Sequence, residues 1–220
     1  MAGEAAPAPD HPPLPDNLRQ KRKPRADAAR NRERLLDTAK TVFAKKGPAA
    51  SLDEIAKAAG VGIGTLYRHF PTRDALVEQV YRHETTQLAE AVDRLSAIHP
   101  PVEALRQWMF LFIDYFTTKQ IMAQALNAMA GGPAALYAVT TVLLTNAVTT
   151  LAERAVASGE IRLTLEPMDL LRAIAGVGHV NPGPGWEDRA KQLVDILIAG
   201  MRVPGSDEKT AKPSFGDLAI

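Results

Sequence analysis

The stretch AGVGIGTLYRHF, residues 59–70, concentrates groups that could do chemistry. Three glycines at alternate positions precede Thr65, Tyr67, Arg68 and His69. Glycines let backbone amides approach an anion closely, and a hydroxyl, a phenol, a guanidinium and an imidazole are all donors for phosphate oxygens. Two kinds of phosphate suit such a set: those of a bound nucleotide and those of a nucleic-acid backbone. A dinucleotide fingerprint needs G-x-G-x-x-G after a strand, and a P-loop needs Gly-Lys-Ser/Thr. Here the spacing is G-x-G-x-G, no Gly-Lys-Ser/Thr follows, and Leu52, Ile55, Ala56 and Ala59 before it repeat with a helical period. That leaves the nucleic-acid reading.

The flanking residues supply the elements that would hold this cluster. SLDE, 51–54, reads as a capping box, with the Ser51 hydroxyl reaching forward and Glu54 reaching back. Gly60 ends the short helix that follows, and Leu66 and Phe70, four apart, give the next one an inward face. Two short helices joined by a glycine turn form a helix–turn–helix (HTH), here about 51–70, whose second helix can lie in a DNA major groove. Gly60 supplies the unusual backbone dihedral of the turn. Gly62 and Gly64 remove side chains where the helix N-terminus, with its free amides and partial positive charge, meets a phosphate. Upstream, Leu35, Leu36, Ala39, Val42 and Phe43 predict a helix from Ala28 to the Gly47-Pro48 break. Pro71 and Thr72 open a long helix to about Ile98.

Charge agrees with a DNA module. Arg19 to Arg82 holds fifteen Lys/Arg against seven Asp/Glu, whereas the remainder holds eleven against eighteen, although the whole chain is only +1. Solvated charges clustered by chance are the plain alternative. The absence of cysteine excludes disulfides, thiol nucleophiles and cysteine-ligated zinc. Five serines, none in G-x-S-x-G, and five histidines without metal spacing give no catalytic residues, no metal site and no cofactor to expect. The densest apolar run is WMFLFI, 108–113, well short of the ~20 residues of a membrane span. The first residues lack the pattern of a secretory signal, so a cytoplasmic protein with no membrane partner is the expectation.

Residues 28–88 closely resemble the N-terminal domain of the TetR family of bacterial transcriptional regulators. RERLLDTAKTVFAKKG, 32–47, and SLDEIAKAAGVGIGTLYRHFPTRDALVEQV, 51–80, carry the resemblance. It implies that Ile63, Thr65 and Arg68 face the groove. Arg68 would fork onto guanine, while Ile63 and the Thr65 methyl would meet thymine methyls. Tyr67 and His69 would contact the DNA backbone, and Arg73 would stand where the family has a phosphate-binding lysine. Gly62 departs from the family's frequent serine, removing a cap or phosphate contact. For Tyr67, His69 and Ile63 simple packing is the competing reading. The basic arm RQKRKPR, 19–25, where Pro24 discourages helix, is either a solvated tail or a minor-groove arm.

The expected fold is all-α, with about nine helices. The predicted division is a disordered arm at 1–27, the HTH domain at 28–88, an effector-binding and dimerisation domain at 89–203, and a disordered tail at 204–220. After the HTH domain, helices are expected at 101–118, 121–129, 134–158, 167–180 and 186–202. The helix at 101–118 is apolar nearly all round and belongs mid-domain. With its neighbours it offers Trp108, Met109, Phe112, Phe116, Met122, Met129 and Tyr137 either as a plain core or as a pocket for a largely apolar effector. By resemblance the last two helices form a homodimer interface through Leu170, Leu171, Ile174, Leu193, Ile196 and Leu197, or those stripes pack within one subunit. The resulting expectation is a ligand-responsive repressor that binds a palindromic DNA operator as a dimer and is released by a small molecule. A ligand-free architectural DNA binder is the alternative.

Overall fold

The computed structural model describes residues 16–180 and 183–204. The Pro/Ala-rich start and the tail from 205 lie outside them. Among the described residues eight α-helices follow one another: α1 Asp16–Lys46, α2 Leu52–Ala58, α3 Ile63–His69, α4 Arg73–Ile98, α5 Pro101–Asn127, α6 Ala134–Ala157, α7 Pro167–Val180 and α8 Trp186–Met201. Among the described residues the sole extended pairing is an isolated bridge between Ile161 and Arg202.

Two boundaries differ from expectation. The first helix begins at Asp16 rather than Ala28, so the basic arm is helical and Pro24 lies inside it. Strong helix formers flank Pro24 on both sides and carry the helix past the one hydrogen bond that proline cannot donate. The second difference is α5, one helix where two were expected. No glycine or proline separates Thr118 from Ile121, so nothing there breaks the helix. Thr117 and Thr118 donate their hydroxyls to the carbonyls of Ile113 and Asp114, both at 3.1 Å.

The N-terminal helices close on Leu35, Leu36, Phe43, Ile55, Leu66 and Phe70, all essentially inaccessible. α4 runs through both halves. Its first turns, Leu76, Val77 and Val80, complete the HTH core, while Leu88, Ala91 and Leu95 pack into the C-terminal bundle. The hydrophobic core is therefore continuous across the expected boundary at residue 88. Pro101 opens α5 at a position where its missing N–H is harmless. The Trp108 indole then donates to the Leu88 carbonyl at 2.8 Å, fixing α5 to α4. By length and composition α6 is apolar enough to cross a membrane, which the short apolar runs of the sequence did not suggest. Here it packs against α4, α5 and α7.

Candidate nucleic-acid interface and ligand cavity

The capping box forms as the sequence implied. Glu54 N–H donates to Ser51 Oγ at 3.1 Å and Ser51 N–H donates to Glu54 Oε2 at 3.2 Å. A hydrogen bond from Lys46, then the bond from the Ser51 amide, holds the Glu54 carboxyl below the usual carboxylate range. Gly60 takes φ +66°, a left-handed turn that glycine adopts without penalty. Gly62, the N-cap of α3, offers no side-chain cap; the Thr65 amide donates to the Gly62 carbonyl at 2.8 Å, and the Ile63 and Gly64 amides ahead of it face outward without a side-chain acceptor.

α3 buries one stripe and presents the rest. Leu66 is fully buried and Phe70, its C-cap, nearly so, whereas Ile63 is 38% and Tyr67 48% exposed, a high value for residues of their size. Arg68 is exposed, and Thr65 and His69 are half-buried. Arg68 curls along the helix, donating to the Gly64 carbonyl at 3.2 Å and to Thr65 Oγ1 at 3.3 Å, a weak tether that leaves its fork available at the surface. The core-packing alternative for Ile63 and Tyr67 therefore fails. A Cβ built at Gly62 or Gly64 meets nothing within 4 Å, so these glycines leave the outer face open rather than fit a tight internal contact.

Arg73 also has a partner within the chain. At the first turn of α4 its guanidinium donates to the Ala50 carbonyl and lies over the Phe43 ring, 5.3 Å from the centroid. It clamps α4 to the segment that leads into α2. Thr72 caps the same turn, accepting from Ala75 N–H at 3.0 Å. A second polar seam joins α1 to α4 through Lys40–Glu84, Arg32–Gln79 and the 3.5 Å approach of His83 to Asp37. α3 thus packs on α2, and α1 joins α2 to α4.

Further along α4, Tyr81 reaches a cavity of about 330 Å³ between α4, α5, α6 and α7. Phe112, Phe116 and Tyr137 line it as expected. Trp108, Met109 and Met122 do not; they are solid core, and Met129 packs at the margin without reaching the space. The sequence did not single out Tyr81, Tyr115, Lys119, Thr140, Leu144 or His179 as lining residues. Tyr81 and Tyr115 share a hydrogen bond at 2.8 Å, and burial, then the neighbouring Tyr81, pushes the Tyr115 phenol far above its ordinary range. Lys119 Nζ stands over the Tyr137 ring, 4.4 Å from its centroid, and burial lowers its pKa below the usual lysine value. A wider cleft of about 460 Å³ lies against α8, lined by Leu165, Ile196 and Leu197 with the chain around Arg202. It lacks aromatic walls and touches neither α4 nor α3.

The expected dimer residues divide. Leu170, Leu171 and Ile174 are buried within the chain, Leu171 on the cavity wall, so they are not an outward face. Leu193 and Leu197 are half-buried, and Ile196 is 66% exposed. An amphipathic stripe shows which face is covered, not whether the cover comes from the same chain. The outward apolar surface of α7 and α8 instead runs through Val177, Val180 and Ile196.

Comparison with known proteins agrees with this architecture. Residues 35–80 match the model of bacterial regulatory proteins of the tetR family, and residues 100–203 match the C-terminal domain of SbtR-like transcriptional regulators. A TetR transcriptional regulator from Streptomyces coelicolor is 42% identical, with a TM-score of 0.72 over 79% of this chain and 99% of that one. A TetR regulatory protein from Mycobacterium vanbaalenii is 29% identical, with a TM-score of 0.65 over 81% of this chain and 99% of that one. An uncharacterised HTH-type transcriptional regulator of Mycobacterium tuberculosis is 28% identical over 86% of this chain and 83% of its own length. With its capped α2, glycine turn and exposed α3 joined through α4 to a helical C-terminal domain, the chain belongs to the TetR family of bacterial transcriptional regulators, which bind DNA and are not enzymes.

Proposed function

We propose that the protein is a cytoplasmic, homodimeric repressor that binds a palindromic operator through α3 and is released when a small effector enters the cavity beside Tyr81. The observation that carries this reading is the exposed α3 surface of Ile63, Tyr67 and Arg68, backed by half-buried Thr65 and His69. In that arrangement Arg68 takes the guanine edge, Ile63 and Thr65 touch thymine methyls, and Tyr67 and His69 hold phosphates. Arg73 acts indirectly, by fixing α4 against the HTH core. The outward surface of α7 and α8, through Val177, Val180 and Ile196 with half-buried Leu193 and Leu197 beside them, pairs two copies. The two α3 helices then reach half-sites one helical turn apart, or a multiple of it.

Release follows from the route of α4. One helix carries Arg73 at the HTH core and, two turns on, Tyr81 at the cavity. A ligand that inserts between α4 and α5 displaces the Tyr81–Tyr115 pair and moves α4 as a rod, changing the spacing of the recognition helices. A coupling of a few kcal/mol lowers operator affinity by orders of magnitude. A purely architectural DNA binder has no use for an aromatic cavity against the helix that positions its recognition element. The test is selection of genomic DNA with the purified protein. Enrichment of one palindrome over random DNA supports the repressor, and equal binding to all sequences refutes it.

A further inference from the structure

The cavity is walled by aromatic rings, yet among the described residues its only ionisable groups other than phenols are basic: Lys119 on α5, and Arg172 and His179 on α7. Among the described residues no Asp or Glu lines it. These cations are not equivalent. Arg172 is exposed at the mouth and already bonded to Asp169 at 2.7 Å, and the His179 ring packs edge-on against Phe116 at 5.2 Å. Lys119 is half-buried and has no carboxylate partner among the described residues; its one neighbour of note is the face of Tyr137. Burial alone accounts for its lowered pKa, with no acidic group to offset it. Holding an ammonium out of water without a counter-ion is unfavourable, and a ligand that brings the missing negative charge relieves the penalty. Tyr81 and Tyr115 share one hydrogen bond, which leaves one phenol hydrogen and the lysine ammonium as donors that suit an anion.

Building on the effector reading above, we propose that the effector is a small aromatic monocarboxylate, its carboxylate paired with Lys119 and its ring packed between Phe112, Phe116 and Tyr137. A space of about 330 Å³ is at the small end of ligand pockets and suits one or two fused rings. One unpaired ammonium matches one negative charge. Arg172, at the mouth, favours entry of an anion without being needed to hold it.

The probes are naphthalene-2-carboxylate and naphthalene-2-carboxamide, which share a ring and differ in charge. Calorimetric titration of the full chain gives affinity. Tryptophan fluorescence reports location, because Trp108 stacks on Phe112 and Trp186 packs on Phe116. The carboxylate binds at least about tenfold more tightly than the amide, as expected for a charged hydrogen bond in a partly dry site. Lys119→Met erases that preference, and Lys119→Arg keeps most of it. If the amide binds as tightly as the carboxylate and perturbs the tryptophans, the charge claim falls while the cavity remains the effector site. If the carboxylate preference survives Lys119→Met, the lysine assignment falls. If neither probe binds at millimolar concentration, both the charge claim and the effector site fall.

Discussion

Gly178 gives the sharpest test of how α7 packs over the cavity. A Cβ added there lies 2.9 Å from Phe116 Cε1 and 3.1 Å from two carbons of the Trp186 ring. Carbon atoms rest at about 3.5–4.0 Å, so Gly178→Ala forces one or both rings aside by roughly half an ångström. Trp186 is buried, and Phe116 is held edge-on between it and His179. Overpacking of this kind costs ~1–3 kcal/mol. Alanine recovers ~1 kcal/mol through its better helix propensity, leaving a net loss of roughly 1 kcal/mol and at most about 2. Gly64→Ala is the internal control, since a Cβ there meets nothing within 4 Å and the propensity gain stands alone. The measurement is thermal unfolding of both variants at one protein concentration. For a chain of this size, Gly178→Ala melts about 2–8 °C below the parent, while Gly64→Ala melts slightly above it. If Gly178→Ala matched or exceeded Gly64→Ala in stability, the α5–α7–α8 packing described here would be wrong.

Three further predictions follow from the same geometry. Tyr81→Phe and Tyr115→Phe each leave a phenol without its partner and cost about 1 kcal/mol or more. The double variant costs less than the sum, by a coupling of at least ~0.5 kcal/mol in denaturant unfolding. Lys119→Met raises the melting temperature of the ligand-free protein. Lys119 faces Tyr137 on α6, Arg172 and His179 on α7, Tyr115 on its own helix and Tyr81 on α4. Because its folded pKa is lowered, its charge destabilises the fold fully below that pKa. The advantage of the variant shrinks as pH rises from there towards the ordinary lysine value. Ile196→Glu places a charge at the centre of the exposed α8 face and converts a dimer to monomers in sedimentation; an unchanged mass would remove that face from the interface.

The HTH was legible in the sequence because its signals are local. Ser51 and Glu54 cap within one turn, Gly60 marks the left-handed residue, and the spacing of Leu66 to Phe70 names the buried side of α3. The cavity was only half legible. Phe112, Phe116 and Tyr137 announce an aromatic interior, but side-chain type does not separate a wall from solid core, as Trp108, Met109 and Met122 show. Lys119 lies between the two helices that periodicity predicts at 101–118 and 121–129, whereas α5 runs straight through it. The dimer stripe misled because Leu170, Leu171 and Ile174 are covered by their own chain, and periodicity carries no information on who provides the cover. Arg73 was placed correctly at the start of α4, but its inward clamp on Ala50 depends on a tertiary contact that spacing does not encode.

The claim that α3 reads DNA is tested most directly by fluorescence anisotropy on the selected operator and on single-base variants of it. Arg68→Ala flattens the preference at one symmetric pair of positions by about 1–3 kcal/mol, whereas Tyr67→Phe weakens binding to every sequence alike. If both variants bound every duplex as the parent does, α3 would not be the recognition helix.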